Sequence, residues 1–155
     1  MINFIDHLKS IVQECDATGD AISKIVRSIK INLMLLENNF YIIESFTNEE
    51  GIAKATIAIN ASHKIFEGHF PGAPIVPGVC MTQIIKEFLE KALAKETRLT
   101  KADHLKFLAI INPVENNIVS IEVKYKVNES DVDVTASISN STATNFKMKA
   151  QFILL

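Results

Sequence analysis

Gly68-His69-Phe70-Pro71-Gly72-Ala73-Pro74-Ile75-Val76-Pro77-Gly78 holds three of the chain's five glycines and three of its four prolines within eleven residues. Proline locks φ near about −65° and glycine admits turns that a Cβ forbids, so this backbone is stiff at some points and sharply bent at others. Such a loop holds its histidine, His69, in one place. Beyond it the chain is apolar at helical spacing: Met81, Ile84, Ile85, Phe88, Leu89, Ala92 and Leu93 trace one face, with Thr82, Lys86, Glu90 and Lys91 on another. The spacing predicts one long helix from about Val79 to Lys95, so the loop delivers a histidine to the foot of a helix.

Away from the helix the period changes to two. In Ile118–Val127, Val119, Ile121, Val123, Tyr125 and Val127 alternate with Ser120, Glu122, Lys124 and Lys126, which predicts a strand with one buried face. His104–Ile111 is expected as the strand before it. Val132, Val134, Ala136 and Ile138, then Phe146, Met148, Ala150 and Phe152, continue the pattern beyond polar turns at Asn128–Asp131 and Asn140–Thr142. On the other side of the loop, Phe40–Phe46 and Ile52–Asn60 read as a hairpin closed at Asn48-Glu49-Glu50-Gly51. Two strands, a helix and four strands pack best as an α+β layer pair, an antiparallel sheet curled round the apolar face of a single long helix.

Ahead of that domain, Phe4, Ile5, Leu8, Ile11 and Val12, and then Ala21, Ile22, Ile25, Val26 and Ile29, recur at helical spacing around a polar break at Asp16–Asp20. Residues 1–33 are therefore expected as an N-terminal helical extension and residues 34–155 as the folded domain. With 155 residues, 48% of them hydrophobic and 22% charged, the chain has the apolar content for one core and no room for a second full domain. A net charge of −2, no Trp and no basic run among aromatics argue against nucleic acid. Lys30, Asn32 and Glu37 interrupt the longest apolar stretch, so no membrane span is expected, and the N-terminus lacks the basic start and apolar run of a signal peptide. Cys15 and Cys80 have no metal-ligand spacing, so neither a metal nor a disulfide is expected, and a reducing cytoplasm is the default. His63 is expected as a solvated strand-end residue, and His7 and His104 carry no motif.

Loop and element order together resemble the hot-dog fold. The loop is similar to the G-H-F-P-x-x-P-x-x-P-G signature of the β-hydroxyacyl-acyl-carrier-protein dehydratases of fatty-acid synthesis, and the resemblance runs from about Leu35 to Leu155. Ile111-Asn112-Pro113-Val114-Glu115 resembles that family's strand-to-strand turn, whereas residues 1–33 have no counterpart in it. The resemblance implies elimination of water from (3R)-hydroxyacyl thioesters held on an acyl carrier protein, with no cofactor. That reaction needs a base for the C2 proton, a donor for the departing hydroxyl and hydrogen bonds to the enolate-like carbonyl. His69 suits the first task, since an imidazole takes up and returns a proton near neutral pH. Free N–H groups at the helix start, those of Gly78 and Val79, suit the last. Phe70, Ile75, Gly78 and Val79 are the expected substrate-contacting residues.

The family's second catalytic residue is a Glu or Asp fourteen positions after the histidine, and here that position is Gln83. An amide holds a hydroxyl by hydrogen bonds but delivers no proton, which puts about a 10²–10⁴-fold contribution at stake. Three resolutions stand open: His69 performs both transfers, Glu87 one turn further along the helix stands in, or a partner chain supplies the acid. The last comes from the resemblance, since in those dimers the histidine of one subunit faces the helix acid of the other. It leads to a homodimer, or a heterodimer with an acid-bearing paralogue. A non-catalytic partner subunit that binds the carrier and a hot-dog thioesterase are the alternatives, the latter weakened because Val79–Ile85 holds no acid. Carrier proteins are acidic, and Lys86, Lys91, Lys95, Arg98, Lys101 and Lys106 gather around the helix end. Interspersed Glu87, Glu90, Glu96 and Asp103 make that stretch read as an ordinary solvated face. Cys80 lies at the helix start with no neighbouring base.

Overall fold

Residues 36–68 and 72–155 are described by a computed structural model. The period-two segments pair into one antiparallel sheet: β1 (Tyr41–Glu49), β2 (Ile52–Ile59), β3 (Thr97–Phe107), β4 (Ile118–Asn128), β5 (Asp131–Ser139) and β6 (Thr144–Leu154). Their spatial order is β1-β2-β4-β5-β6-β3. The hairpin of β1 and β2 closes on two residues, Glu50 (φ 51°) and Gly51 (φ 77°), both left-handed, as the twist of a tight hairpin requires. A Cβ at Gly51 would stand 2.9 Å from the Tyr125 carbonyl oxygen, so glycine also lets β1–β2 approach β4.

Between β2 and β3 run a short helix, α1 (Ile65–Gly68), and the long helix α2 (Gly78–Leu93). The buried face of α2, Cys80, Met81, Ile84, Ile85, Phe88 and Leu89, meets the inward side chains of the strands in one core that includes Ile57, Val123, Val134, Phe146 and Phe152. The expected α+β arrangement of an antiparallel sheet about a single long helix is thus the observed one. The helix ends two residues earlier than expected, at Leu93, because Ala94 with a φ of 52° turns the chain out of it.

Two local readings change. β3 begins at Thr97 instead of His104 and ends at Phe107 instead of Ile111. It is a sheet edge, exposed beyond its first residue, with register breaks between Leu99 and Lys101 and between Ala102 and His104, so nothing forces the alternation by which a strand is recognised. α1 is a single turn, too short to show a helical period. His63 caps it: its Nδ1 accepts the Ile65 N–H at 3.1 Å, and its ring stands edge-on to Phe40 at 5.3 Å. Half-buried and pushed by burial below the ordinary imidazole range, His63 is a packed neutral residue and not a solvated one. The expected extension over residues 1–33 lies outside the described residues.

Candidate active site

α2 starts at Pro77, whose extended backbone (φ −64°, ψ 144°) leaves it as a cap with no side-chain donor or acceptor. Cys80 and Met81 N–H both donate to the Pro77 carbonyl, at 3.0 and 3.3 Å. The amides before them, of Gly78 and Val79, are the ones a helix cannot satisfy internally. Gly78 lies under an aromatic ring: a Cβ there would stand 2.6 Å from the Phe107 ring, so a larger residue would push that exposed ring aside. Val79 packs partly buried against the core.

Ile75, Gly78 and Met81 on one side and Phe107, Leu108 and Ile110 on the other line a groove of about 550 Å³. Its far wall is strand exit, not strand. Beyond Phe107 the chain continues through Leu108–Ile110, and the Ile111 carbonyl then accepts the Val76 N–H at 3.0 Å, fixing wall to loop. The wall is held from behind by Asn145, fully buried, whose Nδ2 donates to the Ile110 carbonyl at 3.2 Å and whose Oδ1 accepts the Asn140 N–H at 2.8 Å. The Asn145 backbone carbonyl accepts from Leu108 and Ala109. Phe107, Leu108 and Ile110 are more than half exposed, an unusual apolar cluster on a surface.

One turn into α2, the Gln83 amide donates from Nε2 to Glu87 Oε1 at 3.2 Å. Glu87 is almost wholly buried, and three further donors converge on it. Leu36 N–H reaches Oε1 at 2.6 Å, Glu37 N–H reaches Oε2 at 3.2 Å, and the Tyr41 hydroxyl reaches Oε2 at 2.7 Å. Two donors on each oxygen match the acceptor capacity of a carboxylate. Burial nevertheless pushes its pKa up, with the four hydrogen bonds opposing that shift. Burial, and then Glu87 itself, hold the Tyr41 phenol far above its ordinary 10.0, so Tyr41 is a donor throughout. Glu87 thus clasps the entry of the domain onto α2. Cys80, pushed up to about 12 by burial and then by Glu87, is a packed thiol and not a nucleophile.

Of the residues expected from the sequence, Ile75 and Gly78 therefore meet in one apolar groove, Val79 adjoins it, and Gln83 points its amide nitrogen at Glu87. His69 and Phe70 lie outside the described residues. Sequence reasoning missed Tyr41, Phe107, Leu108, Ile110 and Asn145. Asn145 left no trace either, since by alternation it falls in the polar register with Lys147, Lys149 and Gln151 and not in the apolar one of Phe146, Met148, Ala150 and Phe152. Among the described residues no group of three or more His, Cys, Asp or Glu could hold a metal, and no helix is long and apolar enough to cross a membrane.

The family described as ApeI-like, ApeI dehydratase, matches residues 45–147, about two thirds of the chain. The chain belongs to this ApeI-like dehydratase family. The 3-hydroxyacyl-[acyl-carrier-protein] dehydratase FabZ of Oenococcus oeni is 26% identical to it over 110 residues, covering 66% of this chain and 78% of that relative. Among solved structures, the dehydratase heterocomplex ApeI:P from Xenorhabdus doucetiae is similar with a TM-score of 0.60 and 17% identity, over 72% of this chain and 96% of that one. A hypothetical thioesterase protein with coenzyme A from Streptococcus pneumoniae is similar at 0.59 and 10% identity, over 82% and 95%. At such identities these structures establish the hot-dog fold alone. Within the ApeI-like family the Gly/Pro loop, the start of α2 and the groove beside it fall inside the matched residues.

Proposed function

We propose that this ApeI-like protein eliminates water from (3R)-hydroxyacyl thioesters presented by an acyl carrier protein, with His69 as the base. The observation that carries the reading is the apolar groove between Ile75–Met81 and Phe107–Ile110, which opens at the start of α2 immediately after the His69 loop. An acyl chain laid in it would bring its thioester carbonyl towards the first amides of α2, where the helix dipole favours developing negative charge. Phe70 would complete the apolar lining. Gln83 would position the departing hydroxyl by hydrogen bonding, while Glu87 fixes which way that amide faces. The proton for the leaving group then comes from His69 itself or from the acid of a paralogous partner, and the similarity to a dehydratase heterocomplex, ApeI:P, supports the paired arrangement. A reducing cytoplasm suits this chemistry.

A second reading has its own support: with Gln83 engaged to Glu87 and no acid at its position, the chain would serve as a partner subunit that binds the carrier and leaves chemistry to the other chain. Turnover of a 3-hydroxyacyl carrier-protein thioester by the purified protein, alone and mixed with an acid-bearing paralogue, separates the two. His69→Ala is expected to abolish dehydration in both settings with an unchanged melting temperature. Gln83→Glu is expected to raise turnover of the lone protein by about 10²-fold, because the new carboxyl would sit beside Glu87 and two adjoining carboxylates cannot both ionise, leaving one as a proton donor. Undiminished turnover of the mixed dimer by the His69→Ala variant would move the chain to the partner-subunit reading.

A further inference from the structure

The chain reaches β1 through Leu36-Glu37-Asn38-Asn39-Phe40-Tyr41, and this stretch is folded back on itself. The Leu36 carbonyl accepts the N–H groups of Asn39, Phe40 and Tyr41 at 3.2, 2.7 and 3.2 Å, and the Tyr41 carbonyl accepts the Asn38 N–H at 2.7 Å. Asn38 supplies the left-handed step (φ 65°), a conformation that asparagine adopts more readily than most side chains. The result is a compact hook with one side on α2 and the other on the approach to α1.

On the α2 side, the Leu36 and Glu37 N–H groups and the Tyr41 hydroxyl end on Glu87, whose Oε1 also accepts the Gln83 amide. Lys91, a further turn along, adds an ion pair to Glu37 at 3.4 Å. On the α1 side, the Asn39 and Phe40 carbonyls accept the side-chain and backbone N–H groups of Asn60 at 3.3 and 2.8 Å. The Asn60 carbonyl in turn accepts the His63 N–H at 3.1 Å. The Phe40 ring, fully buried, stands 5.3 Å from the ring of His63 and 5.7 Å from that of Phe66. His63 caps α1, Phe66 lies in it, and α1 ends at Gly68, the residue before His69. Neighbours on one hook therefore touch the element that leads to His69 and the residue that holds Gln83.

A base and an amide carried on separate elements act together only when their separation is fixed, since a misplacement of about 1 Å can cost about 10²-fold in rate. The covalent route between these two runs through the Gly/Pro loop, and the hook adds a second route, through contacts. Resting on the dehydratase reading for the roles of His69 and Gln83, we propose that Phe40 and Tyr41 are positioning residues that set the separation of the two. Tyr41 acts through Glu87 on Gln83, and Phe40 acts through α1 on His69. Both side chains are buried, so each works through its neighbours and not on the substrate itself.

The test uses the full chain with two variants. Phe40→Leu keeps an apolar side chain but removes the ring. Tyr41→Phe keeps the ring stacked on Phe88 but removes the hydroxyl that Glu87 accepts. Val134→Ala, a core position on β5 outside the hook, controls for lost stability alone. Turnover of a 3-hydroxyacyl group on N-acetylcysteamine by the protein alone is read well below each melting temperature. Both variants should lose about tenfold or more in kcat with KM nearly unchanged, and the control should keep the native kcat. In a Gln83→Ala background Tyr41→Phe should cost nothing more, because its route ends at that amide, whereas Phe40→Leu should keep its full effect. Native kcat in either variant, or an equal loss in the control, would overturn the assignment. Nuclear magnetic resonance of the Gln83 side-chain amide and the His69 ring gives a readout that needs no turnover. Tyr41→Phe should shift the first and Phe40→Leu the second, with neither moved in the control. Where the protein alone shows no turnover these resonances decide: both shifts uphold the hook as the bridge, and unmoved resonances overturn it. Absence of turnover in a mixture with an acid-bearing paralogue as well would remove the dehydratase reading and leave the hook to the resonances.

Discussion

At the scale of single residues, Glu87 and Gln83 show how one helical turn changes a carboxylate's task. Both lie on one face of α2, yet Glu87 is sealed by backbone donors from Leu36 and Glu37 and by Tyr41, which stacks at 5.8 Å on Phe88. Burial raises its pKa above the ordinary 4.5, so the folded protein binds that proton more tightly than the unfolded chain. Its contribution to stability is therefore fully present below that ordinary value and is lost as pH rises through the folded one. Glu87→Gln should remove this component: in thermal unfolding from pH 4 to 8, the gap between native and variant should change with pH in that sense. The variant should also be about 1–2 kcal/mol less stable at pH 7, because an amide NH₂ replaces one of two oxygens that each accept two hydrogen bonds. Parallel curves would mean that Glu87 does not titrate differently on folding.

At the scale of elements, the groove depends on how β3 leaves the sheet. After Phe107 the strand gives way to Leu108–Ile110, and Asn145 on β6 supplies side-chain and backbone groups that anchor this exit. Asn145→Ala would leave the Ile110 carbonyl and the Asn140 N–H without their partner. A loss of about 1–3 kcal/mol in denaturant unfolding is expected, together with a raised KM for acyl thioesters as the wall loosens. Asn145→Asp keeps an acceptor for Asn140 but no donor for Ile110, so it should restore only part of the stability. The element order, the helix and the alternation of β4, β5 and β6 were legible because each is buried on one side. β3 was misplaced because an exposed edge has no such imprint.

At the scale of the molecule, the clasp on Glu87 says where the domain begins. Leu36 is 3% exposed and belongs to the core, and its N–H is one of the four donors on Glu87. Removal of residues 1–33 should therefore leave a cooperative unfolding transition close to that of the full chain. Removal of residues 1–39 should cost at least the roughly 1.5–3 kcal/mol that burial of one leucine contributes, besides the lost donors. Calorimetry of the two truncations checks both. A collapse of the transition in the shorter cut would make the N-terminal segment part of the core.

From the sequence alone came the period-two strands, the central helix, the Gly/Pro loop that carries His69 and the glutamine where an acid was expected. Each is a local pattern: burial on one side imposes a period that neighbouring residues display, and a stiff loop shows in its own composition. Only the tertiary structure decided that Glu87 clasps the domain's entry, that the Phe107 ring lies against Gly78, that Asn145 anchors the groove wall and that Lys106 and Lys147 stand in register. These pairings join residues far apart along the chain, 51 positions for Leu36 and Glu87 and 35 for Ile110 and Asn145. No period along the chain encodes such meetings, because they are fixed by strand order and by the path of the helix across the sheet.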